Sequence, residues 1–333
     1  MANKKVLSIV IPTFNEEANI SFAYKETTKV LKTIPKYEYE IIFVDNCSTD
    51  RSRKIIESLA KKDKKITAIF MSRNFTSEYS SHAAMKQATG DMLTIVDCDL
   101  QDHPDIIPKF IKKWELGFPV VVGVRNVIND SYIMKLVRKL FYVIFKKMSN
   151  IEMPLNAGTF CLLDRQVLDV IIDLPEKNRF FRGLRSWAGF KTAYVEYERK
   201  IRKYGSTKNT LFDYVRDAQR GLLGFSFIPL DLMSTFGFLI TFFSFILAIT
   251  YLSWVIFFGN PINASIPIML SIFVFGGIQM LGISIVGKYI QIIFEEVKNR
   301  PSYVVERIIN NHKKIILNFI HIFIIKLSTT NII

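Results

Sequence analysis

Short apolar, β-branched runs alternate with helix-like segments along the first half of the chain, and each run ends in a polar cluster. Val6 to Ile11 is closed by Pro12-Thr13-Phe14-Asn15-Glu16-Glu17 and gives way to a helical pattern through Leu31. Tyr39 to Val44 repeats the form, ending in Asp45-Asn46-Cys47-Ser48-Thr49-Asp50 before a basic helix. Ile66 to Met71 ends at Ser72-Arg73-Asn74-Phe75, and the next segment suits a helix stopped by the glycine of Thr89-Gly90-Asp91. A fourth run, Thr94-Ile95-Val96, leads straight into Asp97-Cys98-Asp99-Leu100-Gln101-Asp102-His103-Pro104-Asp105. Pro104 to Trp114 reads as a helix and Pro119 to Val124 as a fifth strand ending at Arg125. Repeated strand, polar turn and helix predict an α/β fold with an open, mostly parallel sheet, whose ligands bind beyond the carboxyl ends of the strands.

The second half reads differently. Ser131 to Met148 is apolar over much of its circumference yet carries Lys135, Arg138, Lys139, Lys146 and Lys147, which suits a helix on an anionic bilayer or one packed against a neighbouring domain. Glu198 to Lys208 is a basic run, either a solvated face or a phosphate site. No charged residue occurs from Leu232 to Gly287, and that stretch breaks at Gly259-Asn260-Pro261-Ile262-Asn263-Ala264-Ser265. Two transmembrane helices follow, because a single span needs only about 20 residues. The pattern divides the chain into an α/β domain over 1–208, a juxtamembrane amphipathic helix over 209–231, spans over 232–258 and 266–290, and a tail over 291–333. Basic residues flank both spans at their outer ends, at Lys288, Lys298 and Arg300 after the second, and the connecting turn has none; both termini are therefore expected in the cytoplasm. Ile315 to Ile325 is apolar but too short to cross, so it suits an interfacial helix.

Composition sharpens this picture. Half of the 333 residues are hydrophobic, 28 of them Phe, while the formal net charge is +14. Such a balance points to an anionic membrane surface or phosphorylated ligands, with no specific sign of nucleic acid. Cys47, Cys98 and Cys161 have no metal-like spacing, and their odd number suits reduced thiols. Neither a signal peptide nor a Gly-x-Gly-x-x-Gly or phosphate-loop motif is present in the sequence, which excludes the usual dinucleotide and nucleoside triphosphatase patterns.

The chemistry concentrates at Asp97-Cys98-Asp99. In an extended backbone both carboxylates project to one face, and they repel unless a cation sits between them. With Gln101 as a third oxygen donor, the fitting guest is a hard divalent ion, Mg2+ or Mn2+. An isolated Asp-x-Asp could equally be a solvated strand end. Arg125, at the same sheet edge, could grip a diphosphate oxygen.

Together Ser8-Ile9-Val10-Ile11-Pro12-Thr13-Phe14-Asn15-Glu16-Glu17, Val44-Asp45-Asn46-Cys47-Ser48-Thr49-Asp50, Ser72-Arg73-Asn74-Phe75 and Asp97-Cys98-Asp99-Leu100-Gln101-Asp102 resemble the inverting family 2 glycosyltransferases of GT-A fold. With two spans and the ending Asn299-Arg300-Pro301-Ser302-Tyr303-Val304-Val305, the chain is similar over residues 6–309 to the polyprenyl-phosphate glycosyltransferases, the bactoprenol glucosyltransferase-like relatives of dolichol-phosphate mannose synthase. The resemblance implies transfer of one sugar from a nucleotide diphosphate sugar to polyprenyl phosphate at the cytoplasmic face of the inner (plasma) membrane. Asp97, Asp99 and Gln101 would hold the metal, and Pro12, Phe14, Glu16, Asp45 and Asn46 the nucleotide sugar. Arg125 would act on the diphosphate, and Arg138, Lys139, Arg202 and Lys208 would receive the lipid phosphate. Relatives also make a homo-oligomer such as a tetramer an expectation. UDP-glucose is the donor that the nearest family members suggest.

Three positions depart from the family pattern: Asn46 stands where a second Asp is common, His103 where a proline is usual, and Asn156 to Thr159 lack acids. Two other functions share the fold: a processive polysaccharide synthase, disfavoured by the missing Gln-x-x-Arg-Trp motif, and a silent nucleotide-sugar-binding homologue, disfavoured by the intact Asp97, Asp99, Gln101 and Arg125.

Overall fold

The computed structural model describes residues 4–126, 156–204, 219–221, 223–258 and 265–311. The expected helix over Ser131 to Met148, with Arg138 and Lys139, lies outside the described residues, as do Lys208, the turn 259–264 and the segment Ile315 to Ile325.

In order, β1 (Val6–Thr13), α1 (Ile20–Leu31), β2 (Glu38–Asp45), α2 (Ser52–Lys62), β3 (Ile66–Met71), α3 (Thr76–Gln87) and β4 (Met92–Ile95) form the first half. A 3-10 turn, Pro104–Ile106, then leads to α4 (Ile107–Glu115) and β5 (Val120–Arg125). After these come β6 (Ala157–Asp164), α5 (Arg165–Asp173), α6 (Phe181–Trp187) and β7 (Thr192–Tyr197). The long helices α7 (Ile228–Phe258) and α8 (Ser265–Val297) precede a last strand, β8 (Val305–Ile309).

The eight strands make one sheet, ordered β7-β5-β6-β4-β1-β2-β3-β8. β1 pairs in parallel with β2 and β4, and β2 with β3, whereas β6 runs antiparallel between β4 and β5. The start of β6 therefore lies at the same edge as the carboxyl ends of β1, β4 and β5. Leu7, Ile9 and Ile11 join Ile20, Ile56 and Phe110 on one face. Val10 joins Ala84, Leu93 and Leu168 on the other. Helices cover both faces, so these strands read as unbroken apolar runs without alternation.

Several expected boundaries move. β1 continues through Pro12 to Thr13, because the edge of Pro12 that lacks an N–H faces the β4 side, where β4 has already ended at Ile95. α3 stops at Gln87, before Gly90, and Gly90 does not cap it. A Cβ at Gly90 would stand 2.6 Å from Ser8 Oγ and 2.8 Å from the Val6 carbonyl, so this glycine is there to let its backbone lie against β1.

Two helices are long and apolar enough to cross a membrane, over Ile228–Phe257 and Ser271–Val297. Gly282 lets α8 come close to Met233 of α7. The first helix begins at Ile228, ahead of the expected residue 232, and the second runs to Val297, past the expected residue 290. The start of the expected tail is also corrected: β8 pairs antiparallel with β3 and belongs to the catalytic sheet. Glu296, at the foot of α8, accepts from the Lys177 and Asn178 main-chain N–H groups at 2.8 and 3.0 Å. Asn310 donates to the carbonyls of Ala60 and Ile66 at 2.5 and 3.0 Å. The end of α8 and the strand that follows it are thereby fastened to the α/β domain.

Candidate active site

The polar clusters after β1, β2, β3 and β4 converge at one edge. The loop after β1 is stitched to the loop after β2: Asn15 N–H donates to Ser48 Oγ (2.8 Å), Glu16 N–H to Ser52 Oγ (2.9 Å), and Thr49 N–H to Asn15 Oδ1 (2.7 Å). Asn15 and Cys47 both adopt positive φ, 53° and 63°, which bends the two loops toward each other. Asp45 has no accessible surface; its carboxylate accepts Ser48 N–H and Arg53 Nε, the latter at 2.9 Å. Asn46 is buried too, accepting Phe75 N–H and donating to Asn74 Oδ1, each at 2.9 Å. These two expected nucleotide-binding residues thus brace the loops of the edge, while Pro12 and the half-buried Phe14 sit nearer its surface.

The acids do not lie on a strand. β4 ends at Ile95, and Leu100 N–H donates to the Asp97 carbonyl (3.0 Å), closing a turn over Asp97-Cys98-Asp99-Leu100 with Leu100 at φ 52°. Gln101 reaches Asp99 through its main-chain N–H, 3.1 Å from Oδ1. Asp102, 1% exposed, takes a two-pronged grip from Arg125, Nη2 to Oδ2 at 2.6 Å and Nε to Oδ1 at 3.2 Å. It also accepts the Tyr197 hydroxyl at 2.7 Å. Arg125 is therefore a guanidinium already oriented at the sheet edge. Burial opposes its charge, but Asp102 more than offsets this and raises its pKa.

Arg202 is placed otherwise than expected. It ties onto Glu16, 2.6 and 2.8 Å from the two carboxylate oxygens, and lies 3.4 Å from Asp99 Oδ2. Its neighbours do likewise, with Arg199 3.6 Å from Asp102 and Lys200 2.7 Å from Asp105. The basic run thus lies along the acids, drawn there by charge. Asp102, Tyr197 and Arg199 were not singled out from the sequence as site residues. Their signal was weak: Asp102 closes a motif whose other acids draw attention first.

The donor set fits a divalent cation. Asp97 is pushed up to about 7, by burial first and then by the negative charges of Asp102 and Asp99, with Arg125 and Arg199 pulling against them. Asp99 is also raised, mainly by burial, against the Gln101 N–H and Arg202. A surplus of negative charge thus remains even with arginines nearby, and the Arg202 guanidinium already stands as a cation between Asp99 and Glu16. Among the described residues no three acids, histidines or cysteines form a ready-made metal cage. Mg2+ and Mn2+ are commonly held by one or two carboxylates together with substrate phosphates.

The family model of glycosyl transferase family 2 matches residues 8–172. A protein of Escherichia coli (strain K12) described as a prophage bactoprenol glucosyl transferase homolog is 35% identical over 303 residues, covering 91% of this chain and 99% of that one. The SfII prophage-derived bactoprenol glucosyl transferase of Shigella flexneri is 35% identical over 306 residues, covering 90% and 97%. Among solved structures, glucosyl-3-phosphoglycerate synthase from Mycobacterium tuberculosis, in complex with Mn2+, uridine diphosphate and phosphoglyceric acid, is similar over 66% of this chain and 76% of that one, with 16% identity and a TM-score of 0.46. With a GT-A-type mostly parallel sheet and full-length relatives at this identity, the chain is a glycosyltransferase and belongs to glycosyl transferase family 2.

Proposed function

We propose that the enzyme moves a single hexose, glucose from UDP-glucose, onto polyprenyl (undecaprenyl) phosphate, with inversion at the anomeric carbon and with Mg2+ or Mn2+. The reaction takes place at the cytoplasmic face of the inner (plasma) membrane. The observation that carries this reading is the crowding of Asp97, Asp99 and Asp102 just past the end of β4, in a chain with two helices long and apolar enough to cross a membrane, the second of which is tied at its end to the same domain. A lipid acceptor stays in the bilayer, so its transferase must be held there. The names of the bactoprenol glucosyl transferase relatives support the same acceptor class.

Asp97 and Asp99, with the Gln101 amide oxygen, would hold the cation, whose charge helps the nucleoside diphosphate to leave. Arg125, fixed by Asp102 and Tyr197, offers that diphosphate a donor that needs no reorganisation. The paired loops bearing Pro12, Phe14, Glu16, Asp45 and Asn46 hold the nucleoside. Arg138, Lys139 and Lys208 receive the lipid phosphate, and Arg202 joins them once it leaves Glu16. A phosphate monoester has a second pKa of about 6, so the acceptor is mostly a dianion near neutral pH and attacks without a protein base. The acid-free segment Asn156 to Thr159 is consistent with that.

Membranes carrying the protein, given labelled UDP-glucose, undecaprenyl phosphate and Mg2+ or Mn2+, are expected to form an acid-labile, chloroform-soluble glucolipid. A product soluble only in water, or transfer that persists in excess chelator, would sink this reading or its metal.

A further inference from the structure

Trp187, at the end of α6, is 54% exposed, although tryptophan usually buries most of its ring. The rest of α6 packs inward through Phe181, Leu184 and Arg185. Phe227, just before α7, is 72% exposed. The contacts of residues 177–187 fix the level at which the exposed indole stands.

α8 serves as a ruler. Its uncharged sequence ends at Gly287, and Lys288 and Tyr289 follow. Tyr289 donates its hydroxyl to the Ser226 carbonyl at 2.8 Å. Ser226, and Phe225 before it, therefore stand where α8 leaves the apolar layer. Glu296 lies about 10 Å further from that layer, at a rise of roughly 1.5 Å per residue. The segment 177–187 touches this ruler at both levels. The Lys177 and Asn178 main-chain N–H groups donate to Glu296 at 2.8 and 3.0 Å. Phe180 packs on Phe225 with ring centroids 6.2 Å apart, and a Cβ at Gly183 would collide with the Phe225 ring. Between Asn178 and Gly183 the chain thus climbs from the level of Glu296 to that of Phe225. Trp187 follows Gly183 by one helical turn on the same face of α6. That step is about 6 Å, and the polar layer on each side of a bilayer is about 5–7 Å deep, so Trp187 stays at the level of the headgroups. Indole rings favour that layer, being apolar with one polar N–H. Arg182, whose guanidinium lies 4.9 Å from the Phe180 ring centroid, holds a cation at the same level, which suits lipid phosphate.

We propose that Trp187 enters the headgroup layer of the bilayer, with Arg182 against lipid phosphate, so that α6 is a further membrane contact of the chain beside α7 and α8. This rests on α7 and α8 crossing a membrane, and on nothing about donor or acceptor.

The test uses the full-length protein in nanodiscs whose lipids carry a spin-label quencher either at the headgroup or deep in the acyl chain, with indole emission as the signal. The three tryptophans are Trp114, Trp187 and Trp254, the last within α7. Trp254→Phe keeps Trp187, Trp187→Phe keeps Trp254 as a reporter of inserted spans, and the double variant gives the Trp114 baseline. In Trp254→Phe the headgroup label is expected to remove most of the emission above that baseline, and the deep label several-fold less. Adding Arg182→Gln is expected to weaken this quenching in anionic lipid; unchanged quenching there would strike Arg182 from the contact. No headgroup quenching in Trp254→Phe, while Trp187→Phe is still quenched, would overturn the contact and leave the spans standing. Should Trp187 then also resist aqueous iodide, a second copy of the chain covers it instead of lipid. No quenching in either single variant would overturn the contact and the spans together.

Discussion

Arg202 Nη2 lies 2.6 and 2.8 Å from the two carboxylate oxygens of Glu16. It holds Glu16 together with Asp99, so it competes with any cation that those acids attract. Arg202→Met is therefore expected to tighten Mn2+ binding while slowing transfer. A charge-assisted hydrogen bond is worth about 1.5–3 kcal/mol, so the tightening is roughly tenfold or more. Mn2+ titration followed by electron paramagnetic resonance measures it, and weaker binding in the variant would show that Arg202 does not compete.

Asp97 sets a pH dependence of stability. Its folded pKa of about 7 stands above the unfolded value of about 3.9, so between them the folded state binds more protons than the unfolded one. Its contribution is therefore full below the unfolded value and is lost as pH rises through about 7. The metal-free protein should lose Tm across this window, and Mn2+ should restore it more in mildly alkaline than in mildly acidic buffer. Asp97→Asn should flatten the slope; an unchanged slope in that variant would place the effect on another group.

Arg53 bridges a buried acid and an exposed one. Asp45 is fully buried, whereas the Glu306 side chain on β8 is 49% exposed. Exposed pairs contribute about 0–1 kcal/mol, while stripping the partner from a buried charge costs about 3–5 kcal/mol. Glu306→Gln should thus be nearly silent in thermal unfolding and Arg53→Ala severe. Equal losses from both would mean that β8, through Glu306, sustains the loop after β2.

The parallel half of the sheet was legible because helices bury both faces and leave unbroken β-branched runs, as in Ile41 to Val44. The acid turn was legible in its residues but not in its shape: Leu100 at φ 52° ends the extended backbone, and a leucine gives no warning of that. β8 was hidden because Val305-Glu306-Arg307-Ile308-Ile309 sets two charged residues side by side and shows no strand-like alternation, and nothing local names β3 as its partner. The pairing of Arg202 with Glu16 spans 186 residues, beyond the reach of any periodicity.

Asn156 sits at φ 61°, where its main chain accepts the Arg125 N–H at 3.3 Å. Asn and Gly tolerate this left-handed region, and other residues lose about 1–2 kcal/mol. Asn156→Gly should keep both Tm and turnover, while Asn156→Ala should lose a few degrees of Tm and keep turnover. Complete loss of turnover in a folded Asn156→Ala would assign chemistry to that side chain.

Asp102 and Arg125 are coupled through two hydrogen bonds at 2.6 and 3.2 Å, with Asp102 almost wholly buried. Asp102→Ala leaves a largely buried guanidinium whose remaining side-chain hydrogen bond is to the Tyr197 hydroxyl at 3.3 Å, and should cost about 3–5 kcal/mol. Arg125→Ala leaves the carboxylate with the Tyr197 hydroxyl and Arg199, a softer loss. Because each single change strands the other's charge, the double variant should be less destabilised than the sum of the two by about 2 kcal/mol or more. Denaturant unfolding of all four proteins gives this coupling. Additive losses would mean that the two charges are solvated independently and that Arg125 is not preset for the diphosphate.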